Sequence, residues 1–105
     1  MRLGVEYHPL AAAELVAAQA WYEEQNTGLG DRFLTSFEET MKRISRWPNA
    51  GAPVAVDDGG AVVNRKTFIG GFPWVVGYEV KDNSVIVVAV FHQHRRPDYW
   101  TTRQH

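Results

Sequence analysis

The pattern of apolar positions predicts two helices in the first half of this chain. Leu3 to Tyr7 alternates apolar with small or polar residues, as a short strand does. Apolar residues then recur at spacings of three and four, which favour a helix from about Leu10 to Gln25 and a second one that ends before Trp47-Pro48. The two stripes are Ala11, Leu15, Ala18 and Tyr22, followed by Leu34, Phe37, Met41 and Ile44.

The second half of the chain predicts strands. Val85–Phe91 is an unbroken apolar run rich in β-branched residues, which is typical of a strand buried on both faces. Ala61–Phe68 and Pro73–Val80 are the other predicted strands, and Asn49–Gly60 is predicted to be loop because of its glycines, prolines and aspartates. The order is β-α-α-β-β-β. We expect an α+β fold in which a helical hairpin packs on one face of a small, mainly antiparallel sheet, with the first strand at an edge and the other face open.

Size and composition limit the class of protein. With 105 residues, 45% of them hydrophobic, residues 1–105 are expected to form one domain. The absence of cysteine excludes disulfides and thiolate metal sites. The first residues lack a signal-peptide core, and no apolar run approaches the ~20 residues that span a bilayer, so we expect a cytoplasmic protein without membrane contact. A net charge of −1 argues against binding nucleic acid through non-specific phosphate contacts.

The segment after the apolar run carries most of the candidate chemistry. His92 and His94 are two residues apart, so they share one face if the strand continues through them. They could form an acid–base pair for RNA cleavage, with Arg95 or Arg96 stabilising the phosphorane, or they could be two metal ligands. They could also be a hydrogen-bonded polar strand end. No third ligand stands out, and we expect no metal.

Arginines and aromatic residues follow in the same segment. Arg, Tyr and Trp are enriched at binding hot spots, which favours a contact surface, although Trp100 could instead fold back onto the core. Arg65 lies beside Lys66 in a predicted strand, so the two point to opposite faces. Arg65 could lie near the C-terminal arginines or be an ordinary edge-strand charge. The C-terminal members of this set are Arg95, Arg96, Tyr99, Trp100 and Arg103.

Several landmarks, in this order and over nearly the whole chain, resemble one family. They are Glu14-Leu15, Trp21-Tyr22-Glu23, Leu29-Gly30 with Phe33, Ile44-Ser45-Arg46-Trp47-Pro48, Arg65, Phe72 to Tyr78 and Ala89 to Trp100. Each motif is weak alone, but together they resemble the RelE/ParE superfamily of toxins from bacterial type II toxin–antitoxin modules. The ending with His92, Arg95, Pro97 and Trp100 is more similar to the ParE branch.

The resemblance implies a function that the residue pattern alone does not. ParE-like toxins bind and stall DNA gyrase, RelE-like toxins cut mRNA in the ribosome, and a cognate antitoxin silences both. We therefore expect a plasmid-stabilisation toxin that inhibits gyrase by binding, with no cofactor, small-molecule substrate or committed catalytic residue. The expected target or antitoxin contacts are Arg65, His92, His94, Arg95, Arg96, Tyr99, Trp100 and Arg103.

Two alternatives stay open at this point. One is a RelE-like, ribosome-dependent endoribonuclease that uses His92, His94, Arg65 and Arg95. The other is an inactive family member that acts only as a binding module.

Overall fold

A computed structural model describes residues 3–95 and 98–103 of the chain. In chain order the elements are β1 Gly4–Tyr7, α1 Pro9–Gln25, α2 Leu29–Arg46, a 3-10 turn Pro48–Ala50, β2 Ala52–Val56, β3 Val62–Phe68, β4 Trp74–Lys81 and β5 Ser84–His92. Within these described residues, neither helix combines the length and the apolar character needed to cross a bilayer.

The strands of the described residues form one sheet in the order β1-β5-β4-β3-β2. β1 runs parallel to β5, and the other neighbouring pairs are antiparallel. Both helices pack on one face, where side chains of α1, α2, β4 and β5 form one apolar core. The predicted α+β fold, with a helical hairpin on one face and the first strand at an edge, is confirmed.

The predicted loop at Asn49–Gly60 is wrong in part, because it contains the 3-10 turn and β2. β2 pairs with β3 in a register that shifts twice, so the strand is short and irregular. Pro53 lies within it and has no N–H to donate, which an edge strand tolerates. Because β2 has only five residues and one of them is proline, its sequence does not show the alternating apolar pattern that predicts a strand.

β5 is an inner strand of the sheet, between β1 and β4, and it is buried as predicted; it also contains a bulge. Gly77 of β4 pairs with Ala89, whereas Tyr78 pairs with Val87, so Val88 is an extra residue on β5. Every residue from Val85 to Phe91 is buried. The face of the sheet away from the helices is partly covered by the C-terminal segment, whose Trp100 joins a second apolar cluster.

Candidate functional site

The chain leaves β5 through a turn that begins at His92. The N–H of Gln93 donates to the carbonyl of Pro73, and the N–H of Arg95 donates to the carbonyl of His92, both at 2.9 Å. The N–H of His94 donates to Nδ1 of His92 at 3.2 Å, and the two ring centroids are 5.1 Å apart. The strand therefore does not continue through His94. The turn, and not strand alternation, brings the two imidazoles together.

Glu14 of α1 holds the residues that follow this turn. Arg103 donates Nη1 to Oε1 at 2.8 Å and Nη2 to Oε2 at 3.0 Å, and the Tyr99 hydroxyl donates to Oε2 at 2.6 Å. Arg95 Nη1 lies 3.9 Å from Oε2. The Glu14 and Arg103 side chains are only 16% and 13% exposed, so the bidentate ion pair is well shielded from water. We call Glu14, Arg95, Tyr99 and Arg103 the C-terminal clasp.

The clasp also bonds to the backbone of β5 where its strand neighbour ends. β1 pairs with β5 only as far as Val87. Just beyond, the N–H of Val90 donates to Glu14 Oε1 at 3.1 Å, and the carbonyl of Val88 accepts from Arg103 Nη1 at 2.9 Å. Leaving either buried backbone group unpaired costs about 1–3 kcal/mol. The two side chains thus replace the missing strand partner beside the bulge.

Hydrogen bonding fixes the charge states within the clasp. Burial alone raises the pKa of Glu14, but the hydrogen bonds from Arg103, Tyr99 and the Val90 N–H outweigh it, and the pKa is lowered. Burial, and then the hydrogen bond to Glu14, raise the pKa of Tyr99. The hydrogen bond to Glu14 raises the pKa of Arg103 against the opposing effect of burial. At neutral pH the clasp is therefore a carboxylate held by two guanidiniums and a neutral phenol.

Trp100 lies inside the protein, on the sheet face away from the helices. It is fully buried and packs with Val75 and Phe91. A Cβ placed on Gly77 would lie 2.7 Å from the indole ring, so the glycine leaves the space in which the ring sits. Its cross-strand partner Ala89 is also small. The chain alone therefore does not offer Trp100 to a partner.

Among the described members of the predicted set, His94 and Arg95 are the exposed ones. The Arg95 side chain is 56% exposed, and its Cζ lies 3.9 Å from the centroid of the Tyr99 ring. A guanidinium over an aromatic face is held by cation–π attraction, so Arg95 is oriented without being buried. His92 is half-buried, and its ring meets the Trp74 ring at 80° with centroids 5.7 Å apart. We call His92, His94 and Arg95 the basic patch.

Arg65 is not brought together with the basic patch. Arg65 pairs with Tyr78 across the sheet, and its Nη1 donates to the carbonyl of Gly51 at 2.8 Å. His92 pairs with Trp74, four residues from Tyr78 along β4, a separation of roughly 13 Å. Arg65 thus stabilises the backbone immediately before β2 through this hydrogen bond. This arrangement does not assemble the four residues of the nuclease alternative.

Two further predictions concern Arg96 and metal binding. Arg96 lies outside the described residues, and its contact role stays a prediction. Among residues 3–95 and 98–103, no group of three histidines or carboxylates is placed to hold a metal ion. His92 and His94 therefore have no third protein ligand within that part of the chain.

Sequence reasoning did not single out Glu14 as a functional or structural centre. Its signal was present, because Glu14 is the only charged residue between Pro9 and Tyr22. A lone carboxylate in a largely apolar stretch of a helix indicates a buried partner. The sequence does not say which of the 11 lysines and arginines is that partner.

Solved structures first define the class to which this fold belongs. A chain of the chromosomal ParDE toxin–antitoxin system from P. aeruginosa has 17% sequence identity, with 87% of this chain and 96% of that chain covered at a TM-score of 0.68. An arginine-to-alanine double mutant of the E. coli toxin RelE in the free state has 14% identity, with coverage of 94% and 92% and the same TM-score. At these identities the likeness shows the fold alone, which is one that bacterial toxins adopt.

Sequence comparison then gives the family. The family described as the ParE toxin of the type II toxin–antitoxin system parDE matches residues 5–97. The chain therefore belongs to this family, within the RelE/ParE superfamily, as the sequence landmarks indicated. No curated protein matches it significantly in sequence. Residues 98–103, which include Tyr99 and Arg103 of the clasp, lie beyond the matched range.

Proposed function

We propose that this toxin inhibits DNA gyrase by binding it through the basic patch, without turnover chemistry of its own. The observation that carries the proposal is the presentation of Arg95, which is exposed yet held against Tyr99 and Glu14. A pre-oriented guanidinium loses little side-chain freedom on binding, which favours a contact residue. The match to the ParE branch supports gyrase as the target.

A cognate antitoxin is the second proposed partner. The P. aeruginosa relative is described as part of a ParDE toxin–antitoxin system. By likeness to that system, this chain is neutralised by a protein produced with it. Opposite charges on the two partners would speed their encounter. The antitoxin would also compete with gyrase if it covers the basic patch.

A supercoiling assay with purified gyrase tests the target. We expect the wild-type chain to block supercoiling of a relaxed plasmid, and Arg95→Ala to need at least about tenfold more protein, as for a hot-spot arginine. Arg32→Ala, at an exposed position on α2, is the matched control and should inhibit like wild type. Full gyrase activity at every concentration of folded wild-type protein would reject the proposal.

A RelE-like endoribonuclease is the second candidate, favoured by one observation. The turn after β5 places the rings of His92 and His94 5.1 Å apart, with Arg95 next along the chain. Two imidazoles and a guanidinium could serve as base, acid and phosphate ligand. Expression in cells, with plasmid supercoiling and translation measured together, separates the candidates. A fall in translation with intact supercoiling, abolished by His92→Ala, would favour the nuclease.

A further inference from the structure

The end of α2 carries arginines beside an exposed tryptophan. Arg43 and Arg46 lie in the last turn of the helix, three residues apart, so they are neighbours on its surface. Trp47 follows and is 58% exposed, with Cζ of Arg46 5.3 Å from the centroid of its ring. No other ring of the described residues contacts this indole. An exposed indole beside a guanidinium is a surface on which a second planar group can stack.

Arg65 of β3 brings a third guanidinium to the same region. It pairs across the sheet with Tyr78, whose hydroxyl donates to the carbonyl of Pro48 at 2.8 Å and accepts from the N–H of Gly51 at 3.1 Å. Burial raises the pKa of this phenol, and the Gly51 N–H, followed by the charges of Arg65 and Arg43, opposes that rise. Both guanidiniums therefore lie close enough to the hydroxyl for their charges to act on it.

The three arginines lack carboxylate partners. Within residues 3–95 and 98–103, none of Arg43, Arg46 and Arg65 forms an ion pair, even with the carboxylates of α2 itself. Arg65 Nη1 donates to the carbonyl of Gly51 at 2.8 Å, and Arg43 Nη2 donates to that of Phe68 at 3.5 Å. The helix dipole favours cations in the last turn of α2, but it does not account for Arg65, which comes from a strand. The region is therefore a local excess of positive charge.

A small pocket adjoins the guanidinium of Arg65. It has a volume of about 200 Å³, and Asn49 and Tyr78 contribute to its wall. Glu79 also borders it, but Tyr78 and Glu79 are successive residues of β4, so the carboxylate points to the opposite face of the sheet from Arg65. Arg65 is half-buried, which shields a hydrogen bond formed there from water. The Arg65 side of the pocket therefore suits an oxyanion.

We propose that the three arginines and the tryptophan bind single-stranded nucleic acid. We call this set, Arg43, Arg46, Trp47 and Arg65, the distal patch. The guanidiniums would hold successive phosphates, with one phosphate in the pocket beside Arg65, and a base would stack on Trp47. Arginines combined with an exposed aromatic ring bind a single strand without reading its sequence. The inference does not depend on which target the toxin inhibits, because DNA gyrase and the ribosome both hold nucleic acid.

The distal patch is separate from the basic patch. Arg65 pairs with Tyr78, whereas His92 pairs with Trp74, roughly 13 Å away along β4. The net charge of −1 argues against a broad phosphate-binding field, so the contact is confined to a few nucleotides. Three guanidiniums supply modest affinity that depends on salt.

An acidic protein segment suits the distal patch less well. Its carboxylates could pair with the arginines, but aspartate and glutamate have no ring to place on Trp47. A nucleotide supplies both groups, because each phosphate is joined through its sugar to a base. The exposed indole therefore favours nucleic acid over an acidic protein as the occupant.

Fluorescence anisotropy of a labelled oligothymidylate of about ten nucleotides, titrated with the purified chain, tests the stacked base. We expect Trp47→Ala to raise Kd about tenfold, the effect of losing one base stacked on an aromatic ring. Trp21→Ala, at a tryptophan of α1 that is 53% exposed, is the matched control and should bind like wild type. Urea unfolding of each variant verifies that the fold is intact.

The salt dependence of the same titration tests the phosphate contacts. Arg43→Gln and Arg46→Gln should each raise Kd and reduce the slope of log affinity against log salt by about 0.7, since each removes one phosphate contact. Arg32→Gln, at an exposed position on the same helix, should change neither quantity. A slope that is the same for all three variants and wild type would overturn the phosphate contacts.

The remaining outcomes also decide the matter. No binding of the wild-type chain, or equal affinity of the two tryptophan variants, would overturn the proposal. Tighter binding of a labelled glutamate peptide than of the oligonucleotide would assign the distal patch to an acidic protein instead. A preference for oligothymidylate or for oligouridylate of the same length would identify the strand as DNA or RNA. If the oligonucleotide binds as expected but gyrase is not inhibited, the proposed target fails while the distal patch stands.

Discussion

The segment that follows β5 has two halves with similar residue types, of which one half faces solvent and the other faces the interior of the protein. Arg103 and Trp100 face inward, where Arg103 forms the bidentate pair with Glu14 and Trp100 fills the space above Gly77. His94 and Arg95 face outward. Arg95 lies 3.9 Å from Glu14 with 56% of its side chain exposed, against 2.8 Å and 13% for Arg103. Residue type alone therefore does not separate the groups that build this segment from those that can bind a partner.

This difference determines how the segment should be tested. Deleting everything after Arg95 would remove the indole of Trp100 and the guanidinium of Arg103, so loss of toxicity would not distinguish binding from folding. Single substitutions in each half separate the two roles.

The largest effect is expected from the inward half, for Trp100→Ala. Removing a fully buried indole leaves a cavity over the sheet, and the free energy of unfolding should fall by about 3–5 kcal/mol. Urea denaturation measures this change. Trp47→Ala, at a tryptophan that is 58% exposed, is the control and should change stability by no more than about 1 kcal/mol. Equal midpoints for the two variants would show that Trp100 is not part of the core.

Glu14→Gln should have the next largest effect, lowering the free energy of unfolding by about 2–4 kcal/mol. The amide cannot neutralise Arg103, whose guanidinium is then buried without a counter-charge. The same urea measurement applies. Glu24→Gln, on the exposed face of the same helix, is the matched control. If the two variants are equally stable, the clasp contributes nothing to the fold.

Acid should remove part of the stability that Glu14 contributes to the folded protein. The pKa of Glu14 is lowered in the folded protein by its hydrogen bonds, so this stabilisation is complete above the ordinary carboxyl value of 4.5 and is lost as the pH falls from there through the lowered pKa. The stability difference between wild type and Glu14→Gln should therefore be constant near neutrality and narrow below about pH 4.5. A difference that grows in acid would contradict the assigned direction.

The smallest effect on stability is expected from the outward half, for Arg95→Ala. An exposed ion pair at 3.9 Å contributes about 0–1 kcal/mol, so the unfolding midpoint should hardly move. Gyrase inhibition should nevertheless drop at least about tenfold. Loss of stability comparable to that of Glu14→Gln would mean that Arg95 belongs with the inward half.

Local pattern predicted most of the fold, and long-range contacts account for what it missed. The spacing of Phe37, Met41 and Ile44 was enough for α2, and the run at Val85–Phe91 was enough for β5. The Glu14–Arg103 pair joins residues 89 positions apart, which no periodicity encodes. The packing of Trp100 over Gly77 is another contact between distant parts of the chain that local pattern does not encode.

Glu14 and Arg103, whose side chains cover β5 beyond the end of β1, also protect the protein from aggregation. An uncovered strand margin is a template on which another chain can add by backbone pairing, the usual start of ordered aggregates. Here a carboxylate and a guanidinium occupy the Val90 N–H and the Val88 carbonyl. The ion pair between Glu14 and Arg103 thus also prevents the valine-rich strand β5 from pairing with a strand of another molecule.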